Sequence, residues 1–196
     1  MVETQVKFVV VGHHTRLASA SLLAGELGAH LLIDEGNHGA NWNHRRALEW
    51  AAQQSCRVVV CEDDALPVAG LVGKVTDWMA RFPDDMLSFY LGTGRPPQYQ
   101  EEIAGMLVDA DRVCGDHIVM SKLIHGVCYS PPPGRLASML GAWNKTLAAD
   151  YAVGEAYGGR VVYPCYSLVD HADLPTVERH PDNEPRTERR RAWRLA

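Results

Sequence analysis

The chain of 196 residues is long enough for one domain with a full hydrophobic core and short for two. Its formal net charge of -5 argues against a protein whose whole surface binds nucleic acid or an anionic membrane, but leaves room for a local basic patch. The five cysteines are an odd number without a C-x-x-C pair, which excludes a disulfide framework and a zinc-ribbon pattern and indicates a reducing compartment. No stretch approaches the ~20 apolar residues of a membrane span and no signal-peptide layout is present, so we expect a cytoplasmic protein without membrane contact.

The first half of the chain alternates apolar strands with amphipathic helices. Runs of β-branched and other apolar residues predict strands at 6–11, 30–33, 57–61 and 86–91. Apolar residues at helical spacing predict helices at 16–27, 44–54 and 71–81. This alternation implies an α/β domain whose Rossmann-like, mostly parallel sheet is flanked by helices on both faces. Ligands bind such sheets beyond the carboxyl ends of the strands, where the polar clusters of this sequence fall.

The second half of the chain is less regular. Short strands are predicted at 117–120, 126–129 and 160–163, and one helix at 135–149. The Pro/Gly-rich segment 92–99 is a candidate flexible lid or acceptor loop, and it contains Arg95. The composition becomes charged and poor in apolar residues from Pro181 onward. We therefore expect one domain over 1–180 and a basic C-terminal tail over 181–196.

Three adjacent carboxylates, Glu62, Asp63 and Asp64, follow the third apolar run. Because such a cluster suffers mutual repulsion and loss of hydration, it needs a compensating cation. The side chains of Glu62 and Asp64 point the same way in an extended backbone. Hard oxygen ligands at this spacing suit Mg²⁺ or Mn²⁺, which bind one or two carboxylates and share the rest of their shell with substrate phosphates. The alternative interpretation is a solvated acidic turn.

A second polar cluster lies where a Gly- and Asn-rich loop becomes a helix, and it consists of Asn41, Asn43, His44, Arg45 and Arg46. A helix N-terminus that carries arginines binds anions. Together with a metal ion at the acidic triplet, it would form a clamp for a pyrophosphate. The alternative is that at least one of the two arginines lies on a solvated helix face.

These segments resemble a known enzyme family. The sequence GANWNHRRALEWA leading into RVVVCEDDALPV, after a second strand that ends at Asp34, resembles nucleotide-sugar glycosyltransferases of the glycosyltransferase-A fold. The acidic triplet is similar to their D-x-D-type motif, in the E-D-D form of lipopolysaccharide-type and phage-encoded members. Residues 6–92 carry the resemblance. The later segment YPCYSLVDH is similar to the stretch that supplies a late histidine, here His171, to the metal.

The resemblance implies transfer of a hexose from a nucleoside-diphosphate sugar, such as UDP-glucose, with Mn²⁺ or Mg²⁺ as cofactor. Asp64 would be the main metal ligand. Glu62 would approach the ribose or a metal-bound water, and His171 would close the metal site or touch the diphosphate. The metal set is therefore Asp64, Glu62 and His171.

The resemblance also implies a set of donor-binding residues. Asp34 would face the nucleobase, and His13 and Thr15 would line the pocket for the base and ribose. Arg45 would contact a phosphate. The rest of the predicted donor-binding set is Asn43, Glu62, Asp63 and His125. For His125, a purely structural role is the alternative.

The acceptor hydroxyl needs a general base if configuration is inverted, and Asp150 and Glu155 are the candidates. Asp150 ranks first because it follows an apolar helix and precedes Tyr151, which indicates partial burial. The alternative is that both are exposed carboxylates at a helix end.

The acceptor itself is the least determined part of the prediction. The predicted acceptor-binding residues are Trp42, Arg95, Arg190 and Arg191. The tail places several arginines around Trp193, a pattern that fits contact with a phosphate backbone. A short terminal helix or disorder is the alternative for the tail. Compact size, the basic tail and the resemblance to phage members favour 5-hydroxymethylcytosine in phage-type DNA, modified in the host cytoplasm.

Other acceptors and other functional classes stay open. The acceptor is alternatively a protein or a saccharide, and we infer no obligate protein partner. A nucleotidyltransferase would need a Gly-rich basic loop after the first strand, where the chain instead has 12–16 (GHHTR). A non-catalytic nucleic-acid-binding domain depends on the tail alone. The histidines lack the spacing of a zinc site.

Overall fold

The computed structural model describes residues 6–177 and 189–196. The strands are β1 (Lys7–His13), β2 (His30–Asp34), β3 (Val58–Glu62), β4 (Ala65–Pro67), β5 (Met86–Ser88), β6 (His117–Met120), β7 (Cys128–Ser130), β8 (Val161–Pro164) and β9 (Val169–His171). The α-helices are α1 (Leu17–Leu27), α2 (Ala40–Ala51), α3 (Leu71–Arg81), α4 (Gln100–Arg112), α5 (Leu136–Gly141) and α6 (Ala149–Tyr157).

Seven strands form one mixed sheet in the order β2-β1-β3-β7-β5-β8-β6. β7 is antiparallel to β3 and β5, and β6 is antiparallel to β8, whereas the other pairs are parallel. Five strands therefore share one direction, so the carboxyl ends of β1, β2 and β3 meet at one edge. The predicted α/β class with a mostly parallel sheet is confirmed.

Helices cover both faces of this sheet, as predicted. In β1, Val9 and Val11 contribute to the core on the side of α2, α4, α5 and α6. Phe8 and Val10 contribute to the core on the side of α1 and α3. Since successive side chains of a strand point to opposite faces, a continuous apolar run supplies both cores at once.

The single helix predicted at 135–149 is wrong. Two helices, α5 and α6, occupy this region, and a loop separates them. In the loop the Asn144 side-chain oxygen accepts hydrogen bonds from the Thr146 amide at 3.0 Å and hydroxyl at 2.8 Å. Such a local side-chain turn competes with helical backbone hydrogen bonds. The apolar pattern alone did not reveal this break, nor did it predict α4.

Helix α2 begins at Ala40, four residues before the predicted start at His44. The preceding Gly39 has φ 100°, a conformation that glycine adopts without strain. The Asp34 carboxylate accepts hydrogen bonds from the backbone amides of His38 at 3.0 Å and Gly39 at 2.7 Å, which fixes the entry into the helix. Asn41 and Asn43 therefore lie in the first turn of α2, whereas His44, Arg45 and Arg46 lie in its second turn.

The described part of the C-terminal tail, 189–196, packs against the domain through isolated bridges at Ala192 and Leu195 and does not form a helix. The Thr93 amide donates to the Arg191 carbonyl at 2.8 Å, and the Trp193 amide donates to the Leu91 carbonyl at 2.9 Å. The predicted domain boundary near His180 lies outside the described residues. Within 6–177 and 189–196, no helix is both long and apolar enough to cross a membrane.

Candidate functional site

A cavity of about 790 Å³ opens at the carboxyl edge of β1, β2 and β3. Its walls come from the ends of these strands, the loop at 93–96, residues 124–127, the start of α6, and His171 in β9. A volume of this size is typical of sites for small molecules and cofactors.

The acidic triplet forms one wall of the cavity, and an arginine bridges two of its members. The Arg16 guanidinium donates through one nitrogen to Asp63 Oδ1 at 2.9 Å and to Asp64 Oδ2 at 2.6 Å. The other oxygen of Asp63 accepts from the His13 amide at 2.9 Å. Burial raises the pKa of Asp63, although the hydrogen bonds from His13 and Arg16 oppose this. Burial alone would lower the pKa of Arg16, but the two carboxylates outweigh it and raise the pKa.

Glu62 is held by a buried relay of side chains. Its Oε1 lies 3.2 Å from His44 Nε2, and His44 Nδ1 lies 3.0 Å from the Tyr129 hydroxyl. With neutral His44, the hydroxyl donates to Nδ1 and Nε2–H donates to the carboxylate. Burial raises the pKa of Glu62, but the hydrogen bond that it accepts from His44 lowers it, and the net shift is downward. His44 and Tyr129 therefore position an ionised Glu62 at the cavity.

Gly126 allows Glu62 to approach the neighbouring chain closely. A Cβ at position 126 would lie 2.8 Å from Glu62 Oε1 and 3.3 Å from His44 Cε1. The first distance is too short for carbon, so a side chain here would displace the Glu62 carboxylate from its present position.

His171 reaches the acidic triplet through the small β4–β9 sheet, in which Ala65 pairs with His171. The ring Nε2 lies 3.6 Å from Asp64 Oδ2. The backbone amide of Asp173 donates to His171 Nδ1 at 2.9 Å. Burial lowers the pKa of His171. The neutral ring therefore carries its proton on Nε2, and in this state His171 offers a hydrogen-bond donor to the cavity and not a lone pair to a metal.

Asp64 carries the one carboxylate oxygen that is both buried and unpartnered among the described residues. Its side chain is buried, and Oδ1 has no hydrogen-bond partner among the residues of 6–177 and 189–196. The described side chains include no group of three or more His, Cys, Asp or Glu residues arranged to hold a metal by themselves. A divalent cation fits here only in the mode in which a carboxylate supplies part of the shell and phosphates and water supply the rest. The chain would hold it through Asp64, since Glu62 Oε1 is bonded to His44.

The residues predicted to bind the donor divide into two groups. His13, Asp34 and Asn43 line the cavity, whereas Thr15 is exposed and does not. The Asn43 amide donates to the carbonyls of Gly12 and Leu32, and thus ties α2 to the sheet. Burial raises the pKa of Asp34, but the two backbone amides that it binds lower it overall. Asp34 is therefore ionised, and both of its carboxylate oxygens already accept hydrogen bonds from the loop before α2.

Arg45 and Trp42 do not reach the cavity. Arg45 forms an ion pair with Glu49 at 2.9 Å on the surface of α2. The Arg46 guanidinium carbon lies 4.5 Å from the centroid of the Trp42 ring, and the centroid of the His38 ring lies 4.3 Å from it. Because α2 starts at Ala40, these residues lie on its outer surface. The predicted anion site with Arg45 is therefore not formed.

Only one of the two candidate general bases, Asp150, lies at the cavity. Asp150 is half-buried in the first turn of α6 and lines the cavity, and its Oδ1 accepts from the Tyr151 amide at 2.8 Å. Glu155 is exposed and outside the cavity. Five residues further along a helix corresponds to a rotation of about 140° around its axis, which turns Glu155 away.

His125 forms part of the wall next to Arg95. Its Nε2–H donates to the Arg95 carbonyl at 2.8 Å, and the Tyr90 ring meets it edge-on at 5.1 Å. Nδ1 has no hydrogen-bond partner within the described chain. Burial lowers the pKa of His125 to about 4, so the ring is neutral at physiological pH.

Of the two tail arginines predicted to bind the acceptor, only Arg190 lines the cavity. Its guanidinium binds Asp173 Oδ1 at 3.1 Å and the Leu174 carbonyl at 2.9 Å. Arg191 is exposed, and its carbonyl pairs with Thr93. Arg16 was not among the predicted site residues, although it lies just after β1, in a loop at the ligand-binding edge of the sheet.

No protein-family model matches this chain, and no curated protein is similar to it at a significant level.

Proposed function

We propose that the chain is a glycosyltransferase of the glycosyltransferase-A type that moves a hexose from a nucleoside-diphosphate sugar to a hydroxyl. The observation that carries this proposal is the buried Asp63–Asp64 pair at the end of β3, bridged by Arg16 and with one Asp64 oxygen lacking a partner in the described chain. It faces a cavity large enough for such a donor, at the edge where parallel sheets bind nucleotides.

The groups beside Asp64 suit the diphosphate of the donor. Arg16 and Arg190 line the cavity, and His171 presents its Nε2–H there. Guanidinium and imidazole N–H groups donate to phosphate oxygens, and charge-assisted bonds of this kind are among the strongest. A divalent cation at Asp64 would add positive charge where the leaving diphosphate develops negative charge.

Asp150 is the general base in this proposal. Its carboxylate takes the proton of the acceptor hydroxyl while the acceptor oxygen forms a bond to the anomeric carbon. The bond between that carbon and the diphosphate oxygen breaks, and its electron pair leaves with the diphosphate. Attack opposite the leaving group inverts the configuration. Glu155 has no part in this step because it lies outside the cavity.

For the acceptor we propose 5-hydroxymethylcytosine in DNA. Arg189 and Arg191 are exposed, whereas Arg190 between them reaches the cavity. The two exposed arginines offer cations to a phosphate backbone beside the cavity. Transfer to a protein or a saccharide is the alternative that the experiment separates.

The test incubates the protein with UDP-glucose and Mn²⁺ over hydroxymethylcytosine DNA, a protein lysate or free sugars. We expect glucose on the DNA, and loss of transfer in Asp64→Asn, which keeps the shape of the side chain and removes its charge. Asp77→Asn, on the exposed surface of α3, is the matched control and should retain transfer.

Undiminished transfer by Asp64→Asn would contradict the role of Asp64. Transfer only to protein or sugar would replace the proposed acceptor. Release of pyrophosphate from a nucleoside triphosphate, without sugar transfer, would indicate a nucleotidyltransferase instead.

A further inference from the structure

Arg16 is the cation that balances the acidic pair in the structure. One guanidinium nitrogen bridges Asp63 and Asp64 at 2.9 and 2.6 Å, and the other terminal nitrogen donates to the Pro175 carbonyl. The Arg16 side chain is only 10% exposed. Removing one partner from a buried bridge of this kind is costly, because the other group would remain without water and without its counter-charge.

The balance is nevertheless incomplete. Three carboxylates stand together in Glu62, Asp63 and Asp64, and Arg16 pairs with only two of them. Asp64 Oδ1 is buried and has no partner within the described residues, although a buried carboxylate oxygen is costly to leave unpaired. Arg16 thus leaves part of the Asp64 carboxylate available for a second positive group.

We propose that Arg16 is a resident counter-ion that competes with a divalent cation for Asp64, so that the cation binds by displacing the guanidinium from this carboxylate. The inference rests on the proposed function, because it takes Asp64 as the residue that holds the cation.

The physical reason is repulsion between like charges. A cation bound to the Asp64 carboxylate would stand a few ångströms from a guanidinium nitrogen that is 2.6 Å from Oδ2. At such separations two positive charges repel each other strongly, because the low effective dielectric constant of a protein interior screens them poorly. Either the guanidinium leaves Asp64 or the cation binds weakly.

Displacement has a functional consequence. The Arg16 side chain stays in the cavity and becomes available to the diphosphate of the donor. Binding of the cation thereby frees the Arg16 guanidinium to bind the diphosphate, so the cation binds before the donor.

The test measures binding of Mn²⁺ alone, from the electron paramagnetic resonance signal of free Mn²⁺, in the full chain without donor. Arg16→Gln removes the charge and keeps a hydrogen-bonding side chain, whereas Arg16→Lys keeps the charge and is the matched control. We expect Arg16→Gln to bind Mn²⁺ roughly tenfold more tightly than the wild type, which is the scale of one charge-assisted hydrogen bond. Arg16→Lys should stay close to the wild type, and Asp64→Asn should lose the site.

Equal or weaker Mn²⁺ binding by Arg16→Gln, with unchanged thermal unfolding, would overturn the proposed competition. Absence of Mn²⁺ binding in the wild type would overturn it as well. Sugar transfer is measured in parallel with and without EDTA, so that failure of the cation proposal is distinguishable from failure of the proposed function. Transfer that persists in EDTA would support glycosyl transfer and overturn only the displacement of Arg16 by a cation.

Discussion

Burial determines the charge of individual residues in the cavity. It lowers the pKa of His125 to about 4 and also lowers the pKa of His171, so both rings are neutral at pH 7. Glu62 is different, because its hydrogen bond from His44 outweighs burial and lowers the carboxyl pKa. At neutral pH the cavity therefore combines an ionised carboxylate with two neutral rings whose donor atoms are set by their backbone partners.

The neutral His125 makes stability depend on pH. The unfolded chain binds a proton at this histidine below about pH 6.5, whereas the folded protein resists it until about pH 4. Since the unfolded state binds more protons in this window, stability falls as the pH falls from 6.5 to 4, by at most about 3 kcal/mol. We expect His125→Asn to reduce this loss, measured by urea unfolding at several pH values between 4 and 7. The exposed His14→Asn is the control, and an equal pH slope in His125→Asn and the wild type would contradict the assignment.

Gly126 provides a test of how tightly the site is packed. In Gly126→Ala the new Cβ would meet Glu62 Oε1 at 2.8 Å, so the Glu62 carboxylate must shift from its position beside His44. We expect sugar transfer to fall by roughly 100-fold, because a displacement of about 1 Å in a positioned group can have this effect. The measurement is steady-state transfer together with thermal unfolding.

Gly105→Ala is the matched control for this substitution. Gly105 lies in the interior of α4 with nothing within 4 Å of its Cβ position, so alanine should stabilise the helix by about 0.5–1 kcal/mol and leave transfer unchanged. Full transfer in Gly126→Ala would show that the position of Glu62 is not important.

Short and non-local elements assemble the site, and they are the elements that periodicity does not predict. β4 and β9 have three residues each, yet their pairing brings His171 next to Asp64. The tail at 189–196 is likewise held by backbone hydrogen bonds to 91–93 and to Ser167. Its side chains add contacts, for example from Trp193 Nε1 to the Gln100 side chain at 3.1 Å. The tail therefore contributes to the domain and places Arg190 at the cavity.

Deletion of residues 189–196 should destabilise the domain. Four backbone hydrogen bonds would be lost, between Thr93 and Arg191, Leu91 and Trp193, Ser167 and Arg194, and Ser167 and Ala196. At about 1 kcal/mol each, we expect the melting temperature to fall by roughly 5–15 °C, measured by circular dichroism. Arg194→Ala removes the surface ion pair with Asp111 and the contact with the Tyr166 ring but keeps the four backbone hydrogen bonds, so it should shift the melting temperature by far less. An unchanged melting temperature after the deletion would contradict a structural role of the tail.

At the scale of the whole molecule, the cavity joins the parallel part of the sheet to the irregular second half. β1, β2 and β3 supply His13, Asp34 and Glu62, whereas the later chain supplies His125 and Asp150. A ligand in this cavity would contact both halves at once. Because it would bind the folded state alone, it should stabilise the entire domain.

We therefore expect UDP to raise the melting temperature only when Mn²⁺ is present. At a UDP concentration of about 100 times Kd the stabilisation is about 2.7 kcal/mol, which is roughly 5–10 °C for a domain of this size. Asp64→Asn should abolish the dependence on Mn²⁺, and Asp77→Asn should retain it. A shift of equal size with UDP alone would contradict a cation that bridges protein and diphosphate.

The sequence by itself determined the α/β class, both faces of the core and the position of the acidic triplet. These depend on local information: β1 and β3 are continuous apolar runs, and Glu62–Asp64 directly follow β3. Apolar residues repeat every two positions in a strand with one buried face and every 3.6 positions in a helix. Ten residues are enough to recognise either repeat, because it follows directly from the geometry of the backbone. The extent of α2 and the break between α5 and α6 were not predicted, since they depend on hydrogen bonds from single side chains.

Only the tertiary structure decided which residues share the cavity with the triplet. Arg16 and Asp63 are 47 positions apart, and His44 and Tyr129 are 85 apart. No local pattern encodes such pairs, because strand order and the direction of β7 bring them together. The same tertiary packing placed Arg45 and Glu155 on outer helix surfaces and brought Arg190 inward. The physical reason is that burial and charge compensation act between elements that are distant in sequence, and they select partners only after the sheet has formed.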